Sequence, residues 1–69
     1  MEKNKNTSQV IAIGDRFFSG FGKGGNVVTS WSLAGAKHYL LGEPDINQAE
    51  DKLNKKGKET QILTVSIVK

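Results

Sequence analysis

Residues 26–41, NVVTSWSLAGAKHYLL, constrain the fold most, because the hydrophobic period changes inside them. Val27 and Val28 are β-branched and follow a glycine-rich turn closed by Asn26, a pattern that predicts a strand. From Ser32 the pattern reads as helical. Ser30 or Ser32 can cap a helix in which Leu33, Ala36 and Leu40 share one stripe with Lys37 beside it. Small Ala34 and Gly35 would let that helix approach a sheet closely, and Gly35 weakens it by roughly 1 kcal/mol relative to Ala. Trp31 stands at the junction of strand and helix. As the largest apolar side chain present, it is expected in the core, with the rest packed around it.

A chain of 69 residues makes one domain with a thin core, since about 60% of the unfolded surface is buried at this size. One layer of helix on sheet suits that length better than a deep internal active site, so an enzyme is not expected. With no cysteine there is neither a disulfide nor a thiolate metal site, and no cofactor is expected. The first residues, MEKNKNTSQ, carry charge without an apolar run of signal-peptide length, and no stretch is long enough to span a membrane. A cytoplasmic location is the expectation. Ten Lys and Arg against seven Asp and Glu leave a net charge of +3, which permits contact with nucleic acid without requiring it.

Residues 1–8 read as a flexible arm and 9–69 as a single α+β domain. Val10-Ile11-Ala12-Ile13 is a short β-branched run ended by Gly14-Asp15, and Arg16-Phe17-Phe18-Ser19-Gly20-Phe21 is a second strand. The short Gly-Asp connection marks a hairpin. Strict alternation would place Phe17, Ser19 and Phe21 on one face and Phe18 on the other. Residues 26–30 complete a three-stranded meander. Gly42-Glu43-Pro44 stops the first helix. A second starts with Asp45 as N-cap and Gln48 at capping-box spacing. Ile46, Ala49 and Leu53 form its narrow apolar stripe, Lys52, Lys55 and Lys56 occupy its last turns, and Gly57 suits the C′ position. Residues 60–68 form the longest strand, with Leu63, Val65 and Ile67 on an apolar face and Ile62, Thr64, Ser66 and Val68 on a mixed one. The expected architecture is a four-stranded antiparallel sheet in the order β-β-β-α-α-β, with two short helices on one face.

Residues 20–27, GFGKGGNV, fit the glycine-loop pattern G-x-G-x-x-G-x-V, in which missing Cβ atoms let backbone approach phosphate. The dinucleotide version needs a helix directly after the loop, where a strand is expected here. The kinase version needs catalytic segments that a chain this short cannot hold. A hairpin turn accounts for the same glycines. The segment also resembles the ribonucleoprotein strand motif, whose aromatics stack on bases. Ser19 and Lys23 occupy positions where a basic residue and an aromatic would stand. Arg16, Lys23 and the three Phe rings can form a basic aromatic face, but a thin core competes for Phe17 and Phe21, while Phe18 is open to either use. His38 is the one histidine, which leaves a transition-metal site without ligands of the usual kind. Glu43 and Asp45, or Glu50 and Asp51, are ordinary surface or cap carboxylates. Lys52, Lys55, Lys56 and Lys58 form the densest basic cluster, explained either by a phosphate backbone or by the helix dipole. Tyr39 is expected to be exposed, where it can anchor a partner.

Taken together, Phe17 and Phe18 in a strand, the turn at residues 23–26, the run Val28-Thr29-Ser30-Trp31-Ser32-Leu33-Ala34, Ala36-Lys37, and the Lys-Gly-Lys turn at residues 56–58 resemble small proteins encoded by phages and prophages of Gram-positive bacteria. Members with roles tend to bind and block host proteins, including defence nucleases, or to bind nucleic acid. The resemblance implies a non-enzymatic protein-binding module, an inhibitor or modulator of a bacterial host protein. The candidate contact residues are Arg16, Phe18, Lys23, Asn26 and Tyr39, and a homodimer paired through a sheet edge is compatible. The alternative is a small basic nucleic-acid-binding domain using Lys52, Lys55, Lys56 and Lys58.

Overall fold

The computed structural model describes residues 7–66. They form β1 (Thr7–Ile13), β2 (Arg16–Phe21), β3 (Val27–Ser30), β4 (Tyr39–Leu40), α1 (Asp45–Lys55) and β5 (Thr60–Ser66). The α+β class and the antiparallel sheet agree with expectation. The sheet has five strands rather than four, and one helix packs on it rather than two. β1 is central. β5 runs antiparallel along its whole length, from Thr7 opposite Ser66 to Ile13 opposite Thr60. On its other side β1 pairs with β2 at one end and β4 at the other, and β3 adds to β2. Thr7 and Ser8, assigned to the arm from sequence, belong to β1, and Ser8 is buried. Residues 1–6 of the proposed arm, and Ile67 and Val68 of the last strand, lie outside the described residues.

The expected helix at residues 32–41 is the largest correction. Leu33–Gly35 makes a single 3₁₀ turn, Ala36 is already extended, and Tyr39–Leu40 is a strand. The cause is open backbone on the sheet. β1 and β2 pair only at Ala12 with Phe17 and Ile13 with Arg16 before the ladder ends. The Phe18 carbonyl then takes the Lys37 amide at 2.9 Å, while β4 pairs with Ser8 and Gln9. Satisfying those groups outweighs the weak helix preference of a segment containing Gly35. Gly35 has a different use: a Cβ there would run into the Ser30 hydroxyl, so glycine lets the strap of residues 31–38 lie close to the end of β3.

Strict alternation also fails in β2. Phe18 pairs with Thr29, but Gly20 pairs with Val28, so β2 advances two residues while β3 advances one. This is a β-bulge, at a glycine with φ of 150°. It turns Phe21 to the same face as Phe18, their ring centroids 4.9 Å apart in an edge-to-face contact. Phe18 is therefore core, Phe17 is half-buried and Phe21 is partly exposed.

α1 carries the stripe read from sequence: Ile46, Ala49 and Leu53 are buried against Ile11, Phe18 and Tyr39, with Ile13, Val27 and Ile62 packed around them. On β5 it is thus Ile62, from the face read as semi-exposed, that meets the helix. Pro44 rather than Asp45 occupies the N-cap, and no side chain caps the helix; Asp45 still places its charge in the first turn. The C-terminus follows the expected pattern. Gly57 has φ of 86°, its amide reaches the Asn54 carbonyl at 3.0 Å, and the Lys58 amide reaches Leu53 at 3.0 Å.

The strap is fastened to the opposite face of the sheet at Ser8 and Ser19. His38 Nδ1 lies 2.8 Å from Ser8 Oγ and Nε2 lies 3.2 Å from the Leu33 carbonyl, while Ser19 Oγ donates to the Gly35 carbonyl at 2.6 Å. A carbonyl only accepts, so Nε2 donates to Leu33, and Nδ1 is paired with the Ser8 hydroxyl, which can serve as either donor or acceptor. Val10, on the same face as Ser8, is fully buried.

Candidate functional site

Two surfaces stand out, at opposite ends of the β2–β3 ribbon. At the start of β2 and the end of β3 lies the indole of Trp31, 65% exposed. This overturns the expectation that it is the centre of the core. Trp31 follows the last paired residue of β3, with no layer beyond it to bury it. The Arg16 guanidinium sits 3.9 Å from the Trp31 ring centroid and reaches Thr29 Oγ1 at 3.4 Å, which fixes both side chains as a flat cationic-aromatic platform. Leu33, in the 3₁₀ turn beyond, is also exposed. Beside the platform, β3 pairs with β2 alone among the described residues, so its outer edge is open.

At the other end of the ribbon, the turn between β2 and β3 faces the end of α1. Phe21, Gly25, Lys52, Lys55 and Lys56 line a cleft of about 420 Å³. The bulge supplies Phe21, which the alternation rule had placed on the other face. Lys52 Nζ stands 5.5 Å from its ring centroid. Two features that are 25 or more positions apart in the chain, the glycine-rich turn and the lysine cluster, therefore meet in space.

The residues expected at a binding surface divide between these places. Arg16 is on the platform. Lys23 and Asn26 are exposed in the turn, where the Asn26 carbonyl accepts from the Gly22 amide at 2.6 Å. Lys52, Lys55 and Lys56 line the cleft, whereas Lys58 contributes only its backbone to the helix cap and its side chain is outside the lining. Phe18 and Tyr39 are corrections: they are 1% and 5% exposed and belong to the core. Burial, with Asp45 and Glu43 nearby, raises the Tyr39 phenol above its ordinary value. Sequence reasoning missed Trp31 and Phe21 as surface groups. The clue to Phe21 was Gly20, a residue able to bulge a strand; for Trp31 no sequence signal distinguishes an edge from a core position.

Among the described residues, no three His, Cys, Asp or Glu side chains gather as a metal site, and no helix is long and apolar enough to cross a membrane. No family model, curated protein or solved structure matches the chain.

Proposed function

We propose that the chain is a small non-enzymatic protein-binding module, docking its partner on the Arg16–Trp31 platform and along the open edge of β3. The observation that carries this reading is the exposed indole. Trp and Arg are the side chains that dominate binding hot spots, and here they are stacked in advance, so little rotamer freedom is left to lose on contact. Keeping a Trp in water forgoes about 2–3 kcal/mol of burial that a thin core would otherwise use. An adjacent strand with free backbone groups offers a partner main-chain hydrogen bonds, and Val28, 45% exposed on that strand, offers apolar contact.

The sequence resemblance to small phage proteins extends the reading: the partner is a bacterial host protein, met in the cytoplasm, and the module inhibits or modulates it. A second copy of the chain is the competing occupant of the same edge. Capture from bacterial lysate, with mass-spectrometric identification, tests the proposal on the full chain. Trp31→Ala is expected to lose about 2 kcal/mol or more of affinity, roughly 30-fold, with an unchanged melting temperature. Undiminished capture of the same partner by a folded Trp31→Ala chain overturns the reading.

A further inference from the structure

The geometry of the cleft points to a second site: we propose that Lys52, Lys55, Lys56 and Phe21 bind single-stranded nucleic acid, independently of the Trp31 platform. Lys52, Lys55 and Lys56 stand at i, i+3 and i+4, so one face of the last turns of α1 presents all three ammonium groups. Only Lys55 has a carboxylate partner, Asp51 at 3.3 Å, and both ends of that pair are largely exposed. Lys52 and Lys56 have none among the described residues. The helix dipole favours cations here, but it does not require them to converge on a cleft.

The remaining lining selects the ligand. Gly25 holds a φ of 81°, which a side chain would strain, and a Cβ built there would lie 4.0 Å from Lys56 Nζ, so the turn's backbone borders that ammonium group. Phe21 leaves part of its ring open on the floor, 36% of the residue being exposed. Such a cleft suits a ligand that carries negative charge and a flat apolar face together. A nucleotide unit has both, in its phosphate and its base, whereas an acidic peptide has the charge without the planar face. A volume of about 420 Å³ accommodates a base, and a single strand can splay one into it where a duplex keeps its bases stacked.

Fluorescence anisotropy with a labelled single-stranded oligonucleotide tests this on the full chain, beside a duplex of the same sequence and a polyglutamate peptide. Three ammonium–phosphate contacts predict a slope of log K against log salt of about −2, so affinity falls about 16-fold from 50 to 200 mM salt. Lys56→Gln is expected to flatten the slope by about 0.7. Phe21→Leu, which keeps an apolar side chain at the edge of the core, is expected to weaken binding about 5-fold or more by removing the stacking surface. Trp31→Ala is expected to bind the oligonucleotide as the parent does, which separates this site from the protein-binding one. No binding at low salt, equal binding by the folded double variant K52Q/K56Q, or tighter binding of polyglutamate than of the oligonucleotide overturns the proposal.

Discussion

The two faces of the sheet are closed by different physics. Under α1, closure is by apolar burial: Leu53 and Ile11 are fully buried, Phe18 and Ile46 nearly so. On the strap side, the sheet is held by hydrogen bonds at Ser8, Ser19 and His38, and Val10 is buried on the same face. The consequence shows at the surface. Four of the six large apolar side chains left exposed, Trp31, Leu33, Leu40 and Leu41, belong to the strap, the short strand that follows it or the turn after that strand. A chain this short has apolar residues enough to bury one face well. Where polar clamps hold the second face, its apolar side chains stay at the surface.

The largest effect expected is therefore on the helical side. Leu53→Ala opens a cavity in the cluster that α1 shares with β1 and β2, at a cost of about 2–5 kcal/mol. With each 1 kcal/mol lowering the melting point by about 4–8 °C in a domain of this size, thermal unfolding should show a drop of 8 °C or more. A smaller drop would mean that the two faces share the load. On the strap side, His38→Ala removes the side-chain partner of the buried Ser8 hydroxyl and should cost about 1–3 kcal/mol. Because the two changes act on opposite faces, their effects should add within about 0.5 kcal/mol in the double variant. Coupling larger than that would break the comparison.

The finest test concerns Tyr39, buried where the strap joins the core. Its phenol is raised above the ordinary value of 10.0, first by burial and then by Asp45 and Glu43. The folded state thus holds this proton more tightly than the unfolded chain. The stability so gained is present in full below about pH 10 and is lost as pH rises through the folded value. Tyr39→Phe should leave the melting temperature near neutrality little changed and should flatten its fall above about pH 10. Parallel alkaline limbs in the two proteins would mean that the phenol does not titrate from a buried position.

Much of the fold was readable residue by residue where a local rule decides the matter. β2 begins at Arg16 and ends at Phe21 as read, the stripe Ile46, Ala49 and Leu53 is the buried one, and Gly57 ends the helix. The candidate sites were legible only in part. Arg16 and the three lysines of the cleft were named, but Phe18 and Tyr39 were offered as contact residues and are core. The bulge at Gly20 exchanges the faces of the aromatic residues, and alternation alone does not reveal which strand will bulge.

Local spacing by itself determined the class, the central hairpin, the helix with its apolar stripe and the basic character of the helix end, because each depends on neighbours a few positions away. Tertiary structure alone decided the fate of residues 31–40. Their amides and carbonyls answered to unpaired groups on Phe18, Ser8 and Gln9, which lie 19 or more positions back along the chain, and no window on the sequence contains both partners. Trp31 likewise stands beyond the last paired residue of β3, and the Gly20 bulge together with the packing of the α1 stripe on the sheet set Phe21 and the glycine turn beside the lysines, so neither proposed binding surface follows from local spacing.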